Sequence, residues 1–223
     1  ACHEIQSKSK GLYLWSVDYL TRPFDAFELR ARVRAALRTK RLQDLLVKRS
    51  QIDPLTELGN RGALTKRVGK EWARRQRYGN ALAFIMCDLD HFKKVNDNHG
   101  HVVGDHLLQQ TAECIERALR TSDSVYRFGG EEFAILLCNT DIDAAEEIAE
   151  RLRLTIHATP QTSLNNEEIT VSVSIGVATT DSTQNPDASI EQQADQLIAL
   201  ADKALYEAKK SGRNRVRLLT DKS

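Results

Sequence analysis

Residues Tyr126 to Leu137 read YRFGGEEFAILL, and they decide how the rest of the chain is interpreted. Two apolar, strand-like runs flank a pair of glycines that leads directly into two acids. Because glycine tolerates the positive φ angles of tight reversals, this pattern predicts a β-hairpin with a two-residue turn. Side chains alternate along a strand, so Glu131 and Glu132 are expected on opposite faces of the sheet. An acid there needs a cation or water beside it, and an ordinary solvated hairpin is the alternative interpretation.

A second acidic pair follows the apolar run from Ala81 to Cys87, which is typical of a strand buried on both faces. Asp88 and Asp90 share one face if that strand continues. Two carboxylates about 4 Å apart repel by about 4 kcal/mol at an effective dielectric constant near about 20. Divalent cations relieve such repulsion, and oxygen ligands with room for water suit Mg²⁺ or Mn²⁺. Two such ions can hold nucleotide phosphates, whereas two unrelated acidic strand ends are the alternative.

Beyond residue 60 the sequence alternates between helical and strand-like patterns. Ser189 with Gln192 predicts a capping box, and Ile169 to Val177 alternates strictly, which predicts one strand with a single buried side. The predicted elements are a helix capped by Asn60, the strand at 81–87, a helix over Val103 to Leu119, the hairpin, a helix over Ile142 to Ile156, the strand at 169–177, a helix from Ile190 that stops at Gly212, and a short strand from Arg215 to Leu219. This order predicts an α+β fold of the ferredoxin-like or polymerase-palm kind, with helices covering one face of a central antiparallel sheet.

Residues 25–50 are predicted to form a helical linker or stalk ahead of this domain, which occupies residues 51–223. Asp25 is a candidate cap, and Leu29, Val33 and Leu37 begin an apolar stripe at nearly heptad spacing. Such a helix cannot bury its stripe alone. It either pairs with a second chain or packs on its own domain.

Residues 1–24 are interpreted as an irregular segment or a domain remnant. The strand-like run from Asp18 to Phe24, followed by a helix, resembles the end of a response-regulator receiver domain. Arg22 stands where a lysine usually precedes the proline of that family. The acidic pocket and phospho-accepting aspartate have no counterpart in the few residues upstream, so the resemblance implies a remnant that cannot be phosphorylated.

The composition is that of a soluble globular protein, with 41% hydrophobic and 28% charged residues among 223. The longest apolar run is too short to span a bilayer, and no signal peptide opens the chain, which begins with Ala1 as a fragment would. The four cysteines lack metal-type spacing, which favours buried thiols in the reducing cytoplasm. Residues 22–49 carry a net charge of +6. Because no aromatic residues are interleaved there, a solvated helical face is favoured over nucleic-acid binding.

Basic and amide side chains near the acids could serve a nucleotide. Lys93 follows the first acidic pair, and Lys209 and Arg213 flank Gly212 at the end of the last helix. Lysines near glycine-rich turns often bind phosphate, although near a helix C-terminus they also favour its dipole. Asn96 and Asp105 could together read a guanine edge, although each residue type is also common in turns and caps.

Several motifs in this order resemble the GGDEF family of diguanylate cyclases. They are DLDHFKKVND at 88–97, the Gly100 to Asp105 turn, RFGGEEF at 127–133, DPLT at 53–56 with GNR at 59–61, and ALY at 204–206 with GRN at 212–214. The resemblance covers residues 50–219 and implies a nucleotidyl cyclase-like palm domain. Glu131 occupies the third position of the signature. Asp is more common at this position in the family, but active members also have Glu there.

The resemblance also implies roles for individual residues. Two Mg²⁺ or Mn²⁺ ions per site would be held by Asp88, the main chain of Leu89 and Glu131, and the catalytic residues would be Glu132, Glu131 and Lys93. The substrate-binding residues would be Asn96 and Asp105 for guanine, Lys93, Lys209 and Arg213 for phosphates, together with Phe92, Gly129, Gly130 and Asp53, which anchors the N-terminal turn of the domain.

The implied reaction joins two GTP molecules into cyclic di-GMP and releases two pyrophosphates. Because one domain binds one GTP, two domains must face each other, which implies a homodimer. Family members with an RxxD motif bind their own product, and here Arg120 and Asp123 form this motif, with Arg151 as a candidate supporting contact. The alternative is a catalytically silent signalling module that binds GTP or cyclic di-GMP.

Overall fold

The computed structural model describes residues 26–49, 51–159, 161–162, 168–180 and 188–219. The chain divides into two compact units, residues 1–50 and 51–223. The described part of the first unit is helix α1, Ala26–Arg49. The apolar side chains of Val33, Leu37 and Leu46 are exposed on it. The predicted strand before Pro23 and the predicted cap at Asp25 lie outside the described residues.

The second unit contains a mixed sheet of six strands in the order β1-β3-β4-β2-β7-β8. The strands are β1 Gly59–Asn60, β2 Leu82–Leu89, β3 Ser124–Gly129, β4 Glu132–Cys138, β7 Val173–Thr179 and β8 Val216–Leu218, while β5 Gln161–Thr162 and β6 Glu168–Ile169 form a separate pair. The four central strands are antiparallel, and the outer pairs β1–β3 and β7–β8 are parallel. The predicted α+β fold with a central antiparallel sheet is therefore confirmed.

Five helices of the second unit are described: α2 Arg61–Tyr78, α3 Phe92–His99, α4 His101–Ala118, α5 Ile142–Ala158 and α6 Ile190–Lys210. The predicted caps are confirmed, since Asn60 accepts from the main chain of α2 and Ser189 with Gln192 forms a capping box. The predicted turn from Gly100 to Asp105 is reduced to Gly100 itself, because α4 begins at the next residue. None of the described helices is long and apolar enough to cross a membrane.

Helices cover both faces of the sheet, so the expectation that they cover one face is wrong. Alternate residues of β2 enter two separate hydrophobic clusters. Helices α4 and α5 pack over the cluster that contains Ile85, and α2 and α6 pack over the one that contains Phe84. Both clusters are closed by fully buried side chains, which is why all eight residues of β2 are buried.

Strand β7 also differs from its prediction. The alternating run at 169–177 is divided between β6 and β7, and every residue of β7 is buried. Gly176, one of the small residues at the positions expected to face solvent, packs directly against α6. A Cβ on Gly176 would stand 2.1 Å from the main-chain oxygen of Ala201. Alternation of large and small residues therefore marks close helix packing here, and not a solvated face.

Candidate active site at the acidic hairpin

The hairpin places its two glutamates differently from the prediction. The turn is two residues long, as expected, but it consists of Gly130, with φ of +48°, and Glu131. Glu132 is the first residue of β4. Glu131 is thus a turn residue, and the prediction that both acids lie on the strand, on opposite faces, is wrong for Glu131.

Arg127 holds this turn in place. Its guanidinium donates to the main-chain oxygen of Gly130 at 2.9 and 3.0 Å and to the Asp53 carboxylate at 3.0 and 3.2 Å. Burial opposes ionisation of Asp53, but hydrogen bonds from Thr56 and Arg127 outweigh it and lower the pKa of its carboxyl. The predicted role of Asp53 as an anchor near the hairpin thus gains a physical contact, while the part that Arg127 plays was missed. Only its place two residues before the glycines could have indicated it.

Asp88 meets the hairpin acids at the end of β2. It lies directly opposite Glu132 in the antiparallel register, and Leu89 N donates to the main-chain oxygen of Glu131 at 3.4 Å. Burial raises the pKa of Asp88 to about 6; Lys209 opposes this, and the charges of Glu131 and Glu132 add to it. The structure therefore brings Asp88, Glu131 and Glu132 together.

Two other side chains complete the electrostatics of this cluster. Lys209, at the end of α6, places its Nζ 2.7 Å from Asp88 Oδ2. Burial raises the pKa of the Glu132 carboxyl, which Lys209 opposes and Asp202 and Glu131 reinforce. The carboxylates thus form a partly buried, only partly neutralised group, which a divalent cation would stabilise.

Asp90 does not belong to this group, so the hypothesis of a metal-binding Asp88–Asp90 pair is wrong. Strand β2 ends at Leu89, and the Asp90 carboxylate accepts hydrogen bonds from Ser172, Ser174 and the main chain of Asn214. Within the part of the chain that the structure describes, no three His, Cys, Asp or Glu side chains are grouped so that they could hold one metal ion. Without Asp90, the oxygen donors predicted for the metal ions are the carboxylates of Asp88 and Glu131 and the main chain of Leu89.

Asn96 and Asp105 lie on the neighbouring helices α3 and α4, which meet at Gly100. Asn96 Oδ1 is buried and has no hydrogen-bond partner among the described residues. A Cβ on Gly104 would lie 1.9 Å from this oxygen, so the glycine makes room for it. A buried acceptor without a partner is costly unless a ligand supplies the donor.

The residues predicted to contact phosphates lie on several different elements. Lys93 is exposed on α3, Arg213 is exposed after α6, and Gly129 and Gly130 are exposed at the hairpin. Phe92 is different, because its side chain packs in the core and is only 8% exposed. Its predicted contact would therefore be made by its main-chain amide, which lies in the first turn of α3, where amides have no acceptor within the helix.

The RxxD motif forms a turn between α4 and β3. The Asp123 carboxylate accepts from Ser122 Oγ at 3.2 Å and from the main-chain nitrogens of Cys138 and Arg120 at 3.4 Å. Arg120 and Asp123 line one open cavity of about 400 Å³. Arg151 lines different cavities on α5 and donates to the main-chain oxygen of Ala118 at 3.3 Å. The structure thus groups Arg120 with Asp123 and leaves Arg151 outside their cavity.

The fold and the site first define a class of protein. It is an α+β domain whose antiparallel sheet brings carboxylates and Lys209 together at one hairpin, and whose Asn96 has a buried oxygen without a hydrogen-bond donor among the described residues. Comparison with models of protein families then matches residues 50–215 to the diguanylate cyclase GGDEF domain. The chain belongs to the GGDEF family.

Two curated relatives extend this comparison. Diguanylate cyclase DgcP of Pseudomonas aeruginosa is 40% identical over 164 residues, which are 74% of this chain and 23% of the relative. Response regulator PleD of Caulobacter vibrioides is 35% identical over 216 residues, 93% of this chain and 46% of the relative. The chain therefore spans less than half the length of either, and the PleD match includes residues outside the GGDEF domain.

Solved structures of similar domains agree with this. The GGDEF domain of DgcB from Caulobacter crescentus, in complex with c-di-GMP, has a TM-score of 0.68 at 30% identity and is matched over 76% of this chain and 93% of that chain. The active GGEEF domain of a diguanylate cyclase from Vibrio cholerae has a TM-score of 0.63 at 32% identity, over 72% of this chain and 97% of that chain.

Proposed function

We propose that this chain is a diguanylate cyclase that condenses two GTP molecules into cyclic di-GMP and releases two pyrophosphates. The observation that carries the proposal is the meeting of Asp88, Glu131 and Glu132 with Lys209 at the hairpin of a GGDEF domain. The variant glutamate at the third signature position is no obstacle, since the similar Vibrio cholerae domain has the GGEEF form and is described as active.

The donor set fits Mg²⁺ or Mn²⁺, because carboxylate and main-chain oxygens are hard ligands that leave room for water. Asp88, the main chain of Leu89 and Glu131 would hold the ions, two per site. When bound, these ions neutralise phosphate charge and favour ionisation of the attacking hydroxyl. Burial and, to a smaller extent, the charges of Glu131 and Glu132 raise the pKa of Asp88 to about 6 against the opposing effect of Lys209, which is the sign of a carboxylate that lacks sufficient positive charge.

The other residues bind and orient the substrate. Asn96 offers its buried oxygen to a guanine donor, and Asp105 accepts from the same base edge. Lys93, Lys209 and Arg213 meet the phosphates, with the main chain of Phe92, Gly129 and Gly130. Glu132, whose pKa is raised by burial, is placed beside the cluster to take part at the reacting 3′-hydroxyl. Asp53 acts through Arg127, which fixes the turn that carries Glu131.

Catalysis requires two domains facing each other, since each contributes one GTP. We propose a homodimer paired through α1, whose exposed Val33, Leu37 and Leu46 need a partner surface. The boundaries at residues 24 and 50, and a receiver-like remnant in residues 1–24, remain part of this proposal. Cys87, Cys114 and Cys138 are free thiols, which suits a reducing cytoplasm.

The direct test is turnover by the wild-type chain. After removal of bound nucleotide, micromolar protein is incubated with GTP and Mg²⁺, and products are separated by chromatography. Cyclic di-GMP and pyrophosphate are expected in a ratio of one to two. Absence of cyclic di-GMP after hours, with GTP binding intact, would instead identify a silent binding module.

Product inhibition gives a second expected result. Arg120→Ala removes an exposed guanidinium from the RxxD cavity, while Asp123 keeps its contacts to the turn. The concentration of cyclic di-GMP needed for half inhibition should rise about tenfold or more, as expected for loss of a charge-assisted contact. Initial turnover should be unchanged. Arg117→Ala removes an exposed arginine from the last turn of α4, outside the RxxD cavity, and is the control. An inhibition curve of Arg120→Ala that overlays the wild type would refute the site.

Guanine recognition gives a third expected result. Gly104→Ala would put a Cβ within 1.9 Å of Asn96 Oδ1, so Asn96 must move away from its present position. The KM for GTP should rise about tenfold, the value of one lost hydrogen bond to the base. Gly69→Ala is the control, because a Cβ there meets nothing within 4 Å. An unchanged KM would show that Asn96 does not contact the base.

A further inference from the structure

Asp90 is a buried carboxylate beside the candidate active site, and the proposed reaction assigns it no role. It directly follows β2 and is 6% exposed. Its Oδ1 accepts from Ser174 Oγ at 2.6 Å, and its Oδ2 accepts from Ser172 Oγ at 2.7 Å and from Asn214 N at 2.9 Å. All three hydrogen bonds therefore tie the end of β2 to two other segments, the start of β7 and the loop after α6.

The loop after α6 has a backbone that needs external support. Gly212, Arg213 and Asn214 have φ angles of +115°, +63° and +43°. The left-handed region is unfavourable for residues that carry a Cβ, and it persists only where the surroundings hold it. Two consecutive residues with side chains adopt it here, so the loop would relax if its contacts were removed.

Asn214 is held from both sides. Its main-chain nitrogen donates to Asp90, and its Oδ1 accepts from Arg153 Nη1 at 2.8 Å. Arg153 is in turn fixed on α5 by an ion pair with Glu150. We name Asp90, Asn214 and Arg153 the Asn214 clamp. It joins the residue that follows β2, the loop and α5, three parts of the chain that are far apart in sequence.

The loop matters for the site because two cations belong to it or border it. Lys209 is in the last turn of α6 and contacts Asp88, while Arg213 lies within the loop. Asp90 stands two residues after Asp88, so the clamp ties these cations to the strand end that carries the acidic cluster.

We propose that Asp90 is a positioning residue: through Asn214 it fixes the loop 212–214 so that Lys209 and Arg213 are placed for the triphosphate of the substrate. This inference rests on the proposed function, which assigns phosphate contacts to these two cations. Asp90 itself touches no substrate, because its acceptor atoms face Ser172, Ser174 and Asn214.

The first test is Asp90→Asn, which keeps the size of the side chain but removes its charge and part of its acceptor capacity. We expect kcat/KM for GTP to fall about 100-fold, as for a displacement of binding groups by about 1 Å, with a rise in KM as the larger component. A purely structural role would lower the melting temperature without shifting KM. Wild-type kinetics in this variant would overturn the proposal.

The second test changes the loop and leaves Asp90 intact. Asn214→Val places a β-branched residue where the left-handed backbone is required, so the loop must rearrange. Its loss should match that of Asp90→Asn, and the double variant should lose no more than either, because both act through one loop. Asn214→Gly is the comparison variant: it loses the side-chain contact to Arg153 but keeps the main-chain donor to Asp90 and tolerates this φ, so its loss should be smaller than that of Asn214→Val. Equal kinetics of the valine and glycine variants would overturn the proposal. This comparison does not depend on Asp90→Asn, so it remains decisive even if Asp90→Asn does not fold.

GTP affinity, measured by calorimetric titration without turnover, separates this inference from the proposed function. If the wild-type chain binds GTP but forms no cyclic di-GMP, the proposed function fails. The inference then stands if Asp90→Asn and Asn214→Val weaken GTP binding, and it is refuted if they do not. A wild-type chain that binds no GTP overturns both.

Discussion

Glu132→Ala is expected to reduce formation of cyclic di-GMP about 10²- to 10⁴-fold, the range for removal of a group that handles a proton at the reacting centre. Glu132 begins β4 directly opposite Asp88, and burial raises the pKa of its carboxyl. Both features place a proton-accepting group at the acidic cluster. GTP binding should persist, because the proposed contacts to guanine and to the phosphates are made by other residues.

The measurement compares initial rates with GTP affinity from titration. Glu147→Ala is the matched control, since this exposed glutamate lies on α5, which packs over the other face of the sheet from α2 and α6. Its rate should equal that of the wild type. If Glu132→Ala retained more than about a tenth of wild-type activity, Glu132 would have no direct part in the chemistry.

Gly176→Ala is expected to be the most damaging single change to the fold. An added Cβ would lie 2.1 Å from Ala201 O and 2.2 Å from Leu205 N, both main-chain atoms of α6. Helix backbone cannot move aside as a flexible side chain can, so α6 must shift away from β7. We expect a loss of about 3 kcal/mol or more in the free energy of unfolding, at the upper end for overpacking.

Thermal unfolding checks this result. A loss of about 3 kcal/mol corresponds to a decrease in Tm of about 6–12 °C for a domain of this size. Gly69→Ala in α2 is the matched control, because nothing lies within 4 Å of its added Cβ. It should leave Tm unchanged or raise it slightly, since alanine favours helix. Equal Tm values for the two variants would contradict the close packing of α6 on β7.

A shifted α6 should also affect the site. Lys209 lies in the last turn of this helix and contacts Asp88 at 2.7 Å. Gly176→Ala is therefore expected to raise the KM for GTP in the fraction that remains folded, measured below its Tm. The helix thus joins the stability of the domain to the placement of a proposed phosphate ligand.

Local patterns in the sequence were sufficient for the order of the larger elements, but they did not indicate helix α3 or the short strands β1, β5 and β6. The hairpin, the buried β2, both helix caps and the final strand all follow from residue types within a few positions of one another. Glycines, capping side chains and apolar periodicity act through local backbone preferences, so they can be interpreted without knowledge of the tertiary fold. The motifs at 88–97 and 127–133 likewise indicated the family that the comparison confirmed.

Local patterns failed where packing at a distance decides the outcome. The alternating run at 169–177 indicated one buried side, whereas α6 covers the small residues of β7 and buries both. Asp90 was paired with Asp88 because they are two residues apart, but β2 ends between them and Asp90 bonds to Ser172, Ser174 and Asn214. Nothing within a few positions of Asp90 reveals those partners.

The sequence by itself determined the larger helices and strands, the family the chain belongs to and the side chains that carry charge near the hairpin. Only the tertiary structure decided which of them meet: Glu132 opposite Asp88, Lys209 on Asp88, and Arg127 between Asp53 and the turn. The physical reason is separation along the chain. Backbone preferences act over a few residues, whereas the pairs Glu132–Asp88, Arg127–Asp53 and Lys209–Asp88 are 44, 74 and 121 positions apart and meet through strand order and register.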